Sequence, residues 1–403
     1  MRTLLAALLL IGFCFPALAA DFHFDGYADL RLIVPSNQDS WQSGALGKLR
    51  YGAEDSKPEL RLAEAVGQAV VLITPELMGL AVGRIESEQR TFFDLLEAYV
   101  RYRPVSTTPW RWSVKAGAFF PPVSLENTEL GWTSPWTLTP SAINTWVGEE
   151  LRTIGAEGDL EWRSEARTIT AMASLFGWND PAGILVADRG WALHDRVTGL
   201  IDRPREPDVI AAALHEPAPL YTYEALEIDG RPGWYAAVSW DEVGLGFFNL
   251  IYYNNEADPA AVRRQVAWRT DFWNVGARTQ IGDVTLMAQA MTGRTLIVPS
   301  ATFFSDTNFK SAFLLAGWTV SQNWRVAARA DVFSTDEKRP FPRNLSEHGN
   351  ALTVAVNYLP YDWLRLTAEA IRVDSTRNQR TQAGLKPQAV ENQLQFSAKF
   401  YIP

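Results

Sequence analysis

The chain has 403 residues, a formal net charge of −9 and 12% aromatic residues, among them 16 Trp. The acidic balance argues against nucleic-acid binding, and the single cysteine, Cys14, excludes a disulfide framework and thiolate metal sites. The mean hydropathy is −0.11. Beyond the first residues, no apolar run approaches the roughly 20 residues of a membrane-spanning helix, which excludes a helical membrane protein.

The first residues predict export. Arg2 precedes an apolar run at 4–15, which is followed by the small-residue pattern Ala-Leu-Ala at 17–19. A basic start, a short apolar stretch and small residues at a cleavage site are typical of a secretory signal peptide. We predict a signal peptide at 1–19 and a mature protein at 20–403.

Apolar and polar residues alternate with period two in many segments of the mature chain. At the C-terminus, every second residue from Leu394 to Ile402 is apolar and most residues between them are polar. A helix would spread these apolar residues around its circumference, whereas a strand places them on one face. The predicted strands are 21–35, 57–73, 78–89, 93–104, 111–120, 148–162, 167–177, 233–242, 245–254, 265–279, 283–293, 308–320, 324–334, 350–359, 363–374 and 389–402.

The connections between these strands alternate in length. Long connections are predicted at 36–56, 121–147, 178–232, 255–264, 294–307, 335–349 and 375–388. The intervening ones are short, and only the connection near Arg90 departs from the alternation. Membrane barrels have tight turns at the periplasmic rim and long loops outside, whereas a soluble sandwich has no reason to sort its loops. The sequence therefore predicts an all-β fold, a transmembrane antiparallel β-barrel of about 16 strands in the outer membrane of a Gram-negative bacterium.

Strand parity identifies the side chains that face the lumen. We define a late cluster of predicted pore-lining residues: Arg325, Arg329, Asp331, Arg365, Glu369 and Lys399. We define an early cluster on the first strands: Arg101, Arg103, Arg111 and Lys115. Leu96 and Val100 are predicted to face lipid instead. Taken singly, each charged residue is also explained as an ordinary solvated or ion-paired lumen group.

The connection at 121–147 is predicted to fold into the barrel as a constriction loop. It is rich in Pro, Trp and Thr, which suits an ordered loop, and it carries Glu126 and Glu129. An acidic loop that faces basic wall residues creates a transverse field that orients polar solutes. The alternative is an outward-facing loop. The longest connection, 178–232, contains a possible short helix at 208–215 and could cap the pore or bind a partner.

The segments at 96–102 (LEAYVRY), 115–122 (KAGAFFPP) and 124–127 (SLEN) resemble the phosphate-selective porin family. That family shows a similar strand, then a Gly-Phe-Pro strand end that leads into an in-folded loop. The resemblance implies a sixteen-stranded, usually trimeric outer-membrane channel whose anion selectivity rests on basic pore residues. This chain departs from the family in being acidic overall and poor in lysine.

We therefore predict a porin that allows passive diffusion of small hydrophilic solutes, with weak anion preference, in contact with outer-membrane lipid and able to form a homotrimer. The alternative is a non-conducting outer-membrane barrel that acts as a receptor, adhesin or scaffold. No enzyme and no cofactor are predicted, because no catalytic motif surrounds any histidine. The loop histidines are expected to be exposed; the four histidines are His23, His194, His215 and His348.

Overall fold

The computed structural model of the chain describes residues 21–53, 57–87, 90–210, 221–340 and 345–402. The predicted signal peptide at 1–19 lies outside these residues. So does most of the helix predicted at 208–215, of which only 208–210 are described, in helical conformation.

The described residues form sixteen antiparallel strands, and all predicted strands are present. In chain order they are β1 (Asp21–Val34), β2 (Glu59–Leu72), β3 (Leu77–Ile85), β4 (Phe93–Tyr102), β5 (Trp110–Phe119), β6 (Thr153–Arg163), β7 (Arg167–Gly177), β8 (Gly233–Glu242), β9 (Gly246–Asn254), β10 (Arg269–Ile281), β11 (Val284–Ser300), β12 (Phe303–Thr319), β13 (Trp324–Lys338), β14 (Glu347–Tyr361), β15 (Leu364–Arg377) and β16 (Gln388–Ile402). Each strand pairs with its neighbours in sequence, and β1 pairs with β16. The predicted closed barrel is confirmed.

The closing pair β1–β16 shows how the sequence pattern sets the two faces. Leu32 pairs with Phe396, and these side chains are 41% and 43% exposed on the outside. Asp29 pairs with Lys399, and both are buried inside. Because cross-strand partners share a face, a register slip of one residue would move the charges into lipid.

The barrel has a turn rim and a loop rim. At the turn rim, β8–β9 and β10–β11 are joined by tight turns in which Gly244 and Gly282 have φ values of 80° and 59°, a left-handed conformation that suits glycine. The loop rim carries the long connections, with helices α1 (Ala142–Glu150) and α2 (Ile184–Asp188) and 3-10 helices at Trp41–Ser43 and Asn378–Ala383. Among the described residues, no helix is long and apolar enough to cross a membrane.

Several connections are shorter in the structure than the sequence predicts. Most of 294–307 is strand, because β11 continues to Ser300 and β12 begins at Phe303. Arg294 and Asp306 form a 2.6 Å ion pair between these two strands. The outward residues here include polar ones, so the alternating pattern fades while the strand pairing continues. The same reason explains why β13 and β14 extend into the predicted loop 335–349.

Two other predictions of local structure are wrong. The strand predicted at 148–162 begins only at Thr153, because α1 occupies the preceding residues and its first turn is capped by the Ser141 side chain. Leu96 was expected to face lipid with Val100, but it is buried inside. A register shift between β3 and β4 leaves Leu96 unpaired and turns its side chain to the other face.

Candidate channel interior

The segment after β5 packs against the inner wall. Every residue from Thr139 to Thr153 is buried. The backbone N–H of Leu125 donates to Gln289 of β11 at 3.1 Å, and that of Ala142 donates to Asp331 of β13 at 3.2 Å. The Asn357 amide of β14 donates to the Trp136 carbonyl at 2.9 Å. That this segment constricts a conducting pore stays a prediction.

Arg329 is the main anchor of this segment. Its guanidinium pairs with Glu126 at 2.5 Å and with Asp331 at 2.8 Å, and all three side chains are buried. It also donates to the carbonyls of Thr139 at 2.7 Å and Pro140 at 2.9 Å. Removal of such a cation would leave two buried carboxylates without their partner, which is strongly unfavourable.

The other residues of the late cluster also meet this segment or the wall beside it. Glu369 accepts the backbone N–H of Leu138 at 2.6 Å. Arg365 makes two 2.8 Å hydrogen bonds to Glu129. Burial opposes ionisation of Glu129, but the Arg365 hydrogen bonds hold its pKa below the ordinary value. Lys399 is buried with its Nζ 4.1 Å from the centroid of the Tyr27 ring. Arg325 is half-buried.

The early cluster lies at the turn rim and is more open. Arg101 and Arg111 are half-buried and Arg103 is exposed. Within the described chain, no carboxylate lies within 4.0 Å of these three guanidinium groups. Lys115 differs, because it pairs with Glu157 at 2.7 Å. The structure thus places predicted site residues of both clusters on the inner face, and the early arginines present charge to water without an ion-pair partner in the described chain.

The loop half of the interior is filled. Every residue from Asn179 to Gly199 is buried, and the side chain of Trp191 donates to the Ser334 carbonyl of β13 at 3.0 Å. Trp146 of α1 lies 5.5 Å from Phe272 and 5.1 Å from Phe309, measured between ring centroids. Both phenylalanines face inward from the wall. An apolar core therefore occupies the part of the barrel where a wide pore would be aqueous.

Ion pairs hold the 179–199 segment and the β1–β2 connection to the barrel. Asp195 pairs with Arg31 of β1 at 2.5 Å and with Arg50 of the β1–β2 connection at 2.9 Å. Lys48 of the same connection pairs with Glu347 of β14 at 2.7 Å. These residues were missed from the sequence. Strand parity could have found Arg31, but no local signal places Asp195 beside it.

One loop histidine was wrongly expected to be exposed. His194 is buried, with Nε2 3.3 Å from a carboxylate oxygen of Glu149 and its ring centroid 4.4 Å from that of Trp41. Arg189 pairs with the same carboxylate, and together they hold the pKa of Glu149 well below its usual value despite burial. His194 is thus a packing residue between two in-folded segments.

Three acids meet where the 178–232 connection turns back on itself. Carboxylate oxygens of Asp180, Glu227 and Asp229 lie within 4.8 Å of one another. Asp180 accepts backbone N–H groups of Ile228 and Asp229, which explains its position as a loop anchor. Burial, with the two neighbouring acids, raises the pKa of Asp180 to about 7. Oxygen ligands of this kind suit calcium, but the hydrogen bonds already account for the cluster.

A cavity of about 350 Å³ opens at the turn rim between the 121–147 segment and the wall. Trp136 and Leu125 line it from the segment, and Asp241, Phe247 and Arg278 line it from the wall. Trp136 lies against Gly317 so closely that a Cβ there would come within 2.5 Å of the ring. This contact fixes one side of the cavity.

Comparisons with known proteins agree with this geometry. The family model of phosphate-selective porin O and P matches residues 302–397. Over this segment the chain is similar to the phosphate-selective porins. The resemblance predicted from the sequence is confirmed, although the motif residues at 96–127 lie outside the matched segment. No curated protein sequence is similar enough to count as a relative.

Solved outer-membrane proteins share the fold of this porin-type barrel. The outer membrane channel DcaP of Acinetobacter baumannii has a TM-score of 0.59 at 11% identity, covering 96% of this chain and 99% of that one. An anion-selective porin of Comamonas acidovorans has a TM-score of 0.53 at 12% identity, covering 95% and 100%. A trimer form of OmpT of Vibrio cholerae has a TM-score of 0.52 at 10% identity, covering 95% and 100%.

At these identities the structural likeness shows the fold alone. The fold and the family match together support an outer-membrane channel in a Gram-negative bacterium, and they point to a channel rather than an enzyme.

Proposed function

We propose that the chain is a porin that lets small hydrophilic solutes diffuse passively across the outer membrane. The observation that carries the proposal is a closed barrel with an apolar outside and charged side chains on the water-accessible inside of the turn rim. Unpaired charges need water around them, because burying them costs free energy unless they are paired. An interior of this kind is therefore expected in an aqueous channel and not in a solid scaffold.

The proposed selectivity is a weak preference for anions. The early arginines favour anions because no carboxylate of the described chain forms an ion pair with them, while the nearby carboxylates Asp159 and Glu161 oppose that preference and keep it weak. Charges of the external loops contribute little, because at physiological salt exposed charges are screened beyond about 8 Å. The Comamonas protein of similar fold is an anion-selective porin.

We propose that the barrel contacts lipid through its outer face and associates as a homotrimer. The outward side chains of Trp110, Trp240, Trp318 and Trp324 are 53%, 38%, 50% and 44% exposed near the turn rim, which is typical of the aromatic girdle of a membrane barrel. The trimer form recorded for the Vibrio cholerae protein supports the assembly. No cofactor is part of this proposal.

The filled loop half favours a second candidate, a closed barrel that serves as a receptor or scaffold. In this conformation the 179–199 segment and α1 occupy the interior with apolar side chains. A barrel closed in this way conducts only if the segment moves, whereas a receptor needs no such movement.

Single-channel recording in planar bilayers, with a salt gradient across the membrane, tests the two candidates. A porin gives steady conductance and a zero-current potential that reports its ion preference. If neither the unmodified chain nor a variant with a loosened 179–199 segment conducts, the second candidate replaces the first. The loosened variant is Asp195→Asn, since Asp195 joins the segment to Arg31 and Arg50.

A further inference from the structure

The cavity at the turn rim contains an ordered row of three chemically different side chains. Asp241 of β8 is the register partner of Phe247 of β9, and Phe247 is the register partner of Arg278 of β10. Directly opposed residues of paired strands point to the same face, with Cα atoms about 4.5–5.5 Å apart. The row therefore places an acid and a base on either side of an aromatic ring, about 10 Å apart at their Cα atoms.

The two charges of the row do not neutralise each other. No nitrogen of Arg278 lies within 4.0 Å of a carboxylate oxygen of Asp241, and neither pairs with another charged group in the described residues. The guanidinium carbon of Arg278 instead lies 5.5 Å from the centroid of the Phe247 ring. Asp241 is exposed and Arg278 is half-buried, so both heads are accessible to a solute.

The rest of the cavity wall is apolar or neutral. Trp136, Leu125 and Met287 lie along it, with Gln280 as a further hydrogen-bonding side chain. The volume of about 350 Å³ lies at the small end of ligand pockets, which span about 300–1,000 Å³. A ligand of this site is thus small and has an apolar part.

We propose that this cavity binds a zwitterionic, amino-acid-like solute with an aromatic or bulky apolar side chain. The carboxylate of the solute accepts hydrogen bonds from Arg278, because a guanidinium is suited to bind a carboxylate. The ammonium group of the solute pairs with Asp241. The side chain packs against Trp136 and Leu125. A simple anion would meet the Asp241 carboxylate, and a simple cation would meet Arg278, so only a ligand with both charges matches the row.

The inference deepens the proposed channel function, since the cavity lies where solutes enter or leave at the turn rim. Its test is isothermal titration calorimetry on the refolded barrel in detergent, which needs no conductance. Binding without conductance in bilayers would overturn the porin and leave this site standing. Conductance without binding would overturn the site alone.

The probes are phenylalanine, 3-phenylpropionate, phenethylamine and alanine, which remove the ammonium, the carboxylate or the ring in turn. We expect phenylalanine to bind at least about tenfold more tightly than each of the two singly charged probes, because each lacks one charge-assisted contact. Alanine should bind more weakly than phenylalanine. Equal binding of 3-phenylpropionate would show a plain anion site, and equal binding of phenethylamine a plain cation site; either result, or no binding of any probe, overturns the proposal.

Variants test which side chain binds each charged group of the solute. Arg278→Gln and Asp241→Asn should each weaken phenylalanine binding at least about tenfold. Arg278→Gln should also improve phenethylamine binding, because the repelling cation is gone, and a misfolded variant would not show this gain. Controls at the same rim are Arg167→Gln and Asp283→Asn, which lie outside the cavity lining. If a control weakens phenylalanine binding as much as the cavity variants do, the assignment to this row is wrong.

Discussion

The late and the early cluster have the same sequence pattern and different surroundings. Both contain several basic residues on the lumen face of neighbouring strands. Arg329 and Arg365 are buried against carboxylates of the segment that follows β5, whereas Arg101, Arg103 and Arg111 have no carboxylate partner in the described chain. The role of a lumen arginine therefore depends on the groups that the chain places opposite it. Arg329 and Arg365 hold structure, and the early arginines are available to solutes.

The largest effect expected from this comparison concerns stability. Arg329→Ala removes the cation shared by Glu126 and Asp331, which are both buried. Breaking a buried ion pair on one side costs about 3–5 kcal/mol, so the free energy of unfolding should fall by about that amount. Urea unfolding in detergent, followed by tryptophan fluorescence, measures it.

The matched control for this variant is Arg103→Ala, which removes an exposed arginine from the early cluster. Surface changes of this kind usually stay within about 0.5 kcal/mol. Equal losses in the two variants would contradict the division between structural and solute-facing arginines.

A smaller effect is expected when the 179–199 segment loses one attachment. Asp195→Asn weakens the contacts to Arg31 and Arg50, but Arg31 keeps Asp29 and Arg50 keeps Glu86. A hydrogen bond to a charged group contributes about 1.5–3 kcal/mol, so the closed arrangement of the segment should weaken by that amount. Limited proteolysis should then cut within 179–199 faster in the variant.

Asp208→Asn serves as the control for segment release, since its ion pair with Arg205 is largely exposed. If Asp208→Asn speeds cleavage as much as Asp195→Asn does, the buried attachment does not hold the segment. Increased conductance of the Asp195→Asn channel, without a change in the control, would link the segment to closure of the pore.

Much of the fold followed from period-two alternation, because lipid imposes the same requirement on every strand. Val114 and Leu394 face outward as that requirement demands. The alternation fails to predict the structure at Arg294, where the strand continues although its outward residue is charged. It also fails at Leu96, where a bulge changes which face the side chain occupies.

The interior could be predicted only in part. Parity placed Arg329 inside, but its pairing with Glu126 joins residues 203 positions apart in the chain, and no local pattern contains that information. The contact of Asp195 with Arg31 is of the same kind. Whether the 178–232 connection caps the pore stayed open for a related reason: a connection with Trp and Leu has the same sequence pattern whether it folds inward or packs on itself outside.

Selectivity should respond to the early cluster. Replacing Arg101, Arg103 and Arg111 together with glutamine removes unpaired positive charge from the turn rim. Exposed charges interact with about 0.2–1 kcal/mol each, so we expect the anion-to-cation permeability ratio to fall about two- to fivefold. The zero-current potential in a salt gradient measures this. Arg167→Gln is the control, because Arg167 lies at the same rim and is exposed on the outside, where it pairs with Glu242.

The smallest expected effect tests a buried acid, Asp180, that has no arginine partner among the described residues. Asp180 is the counterpart of Glu129: burial raises the pKa of Asp180 to about 7, whereas Arg365 holds the pKa of Glu129 low. An aspartate in an unfolded chain has a pKa of about 3.9. Between these values the folded loop binds a proton that the unfolded loop has released, so its stability is greatest at acidic pH and falls as the pH rises toward 7.

Hydrogen exchange measures this dependence at the backbone amides of Ile228 and Asp229, which donate hydrogen bonds to Asp180. Protection should decrease from pH 4 to pH 7 by about 1–2 kcal/mol, a value lowered for water around the half-buried neighbours Glu227 and Asp229. Asp180→Asn imitates the protonated carboxyl and keeps an acceptor oxygen, so it should remove the dependence and protect the loop above pH 7. If Asp180→Asn keeps the same pH dependence, another group causes that dependence. The contrast between Asp180 and the arginine-paired Glu129 would then be contradicted.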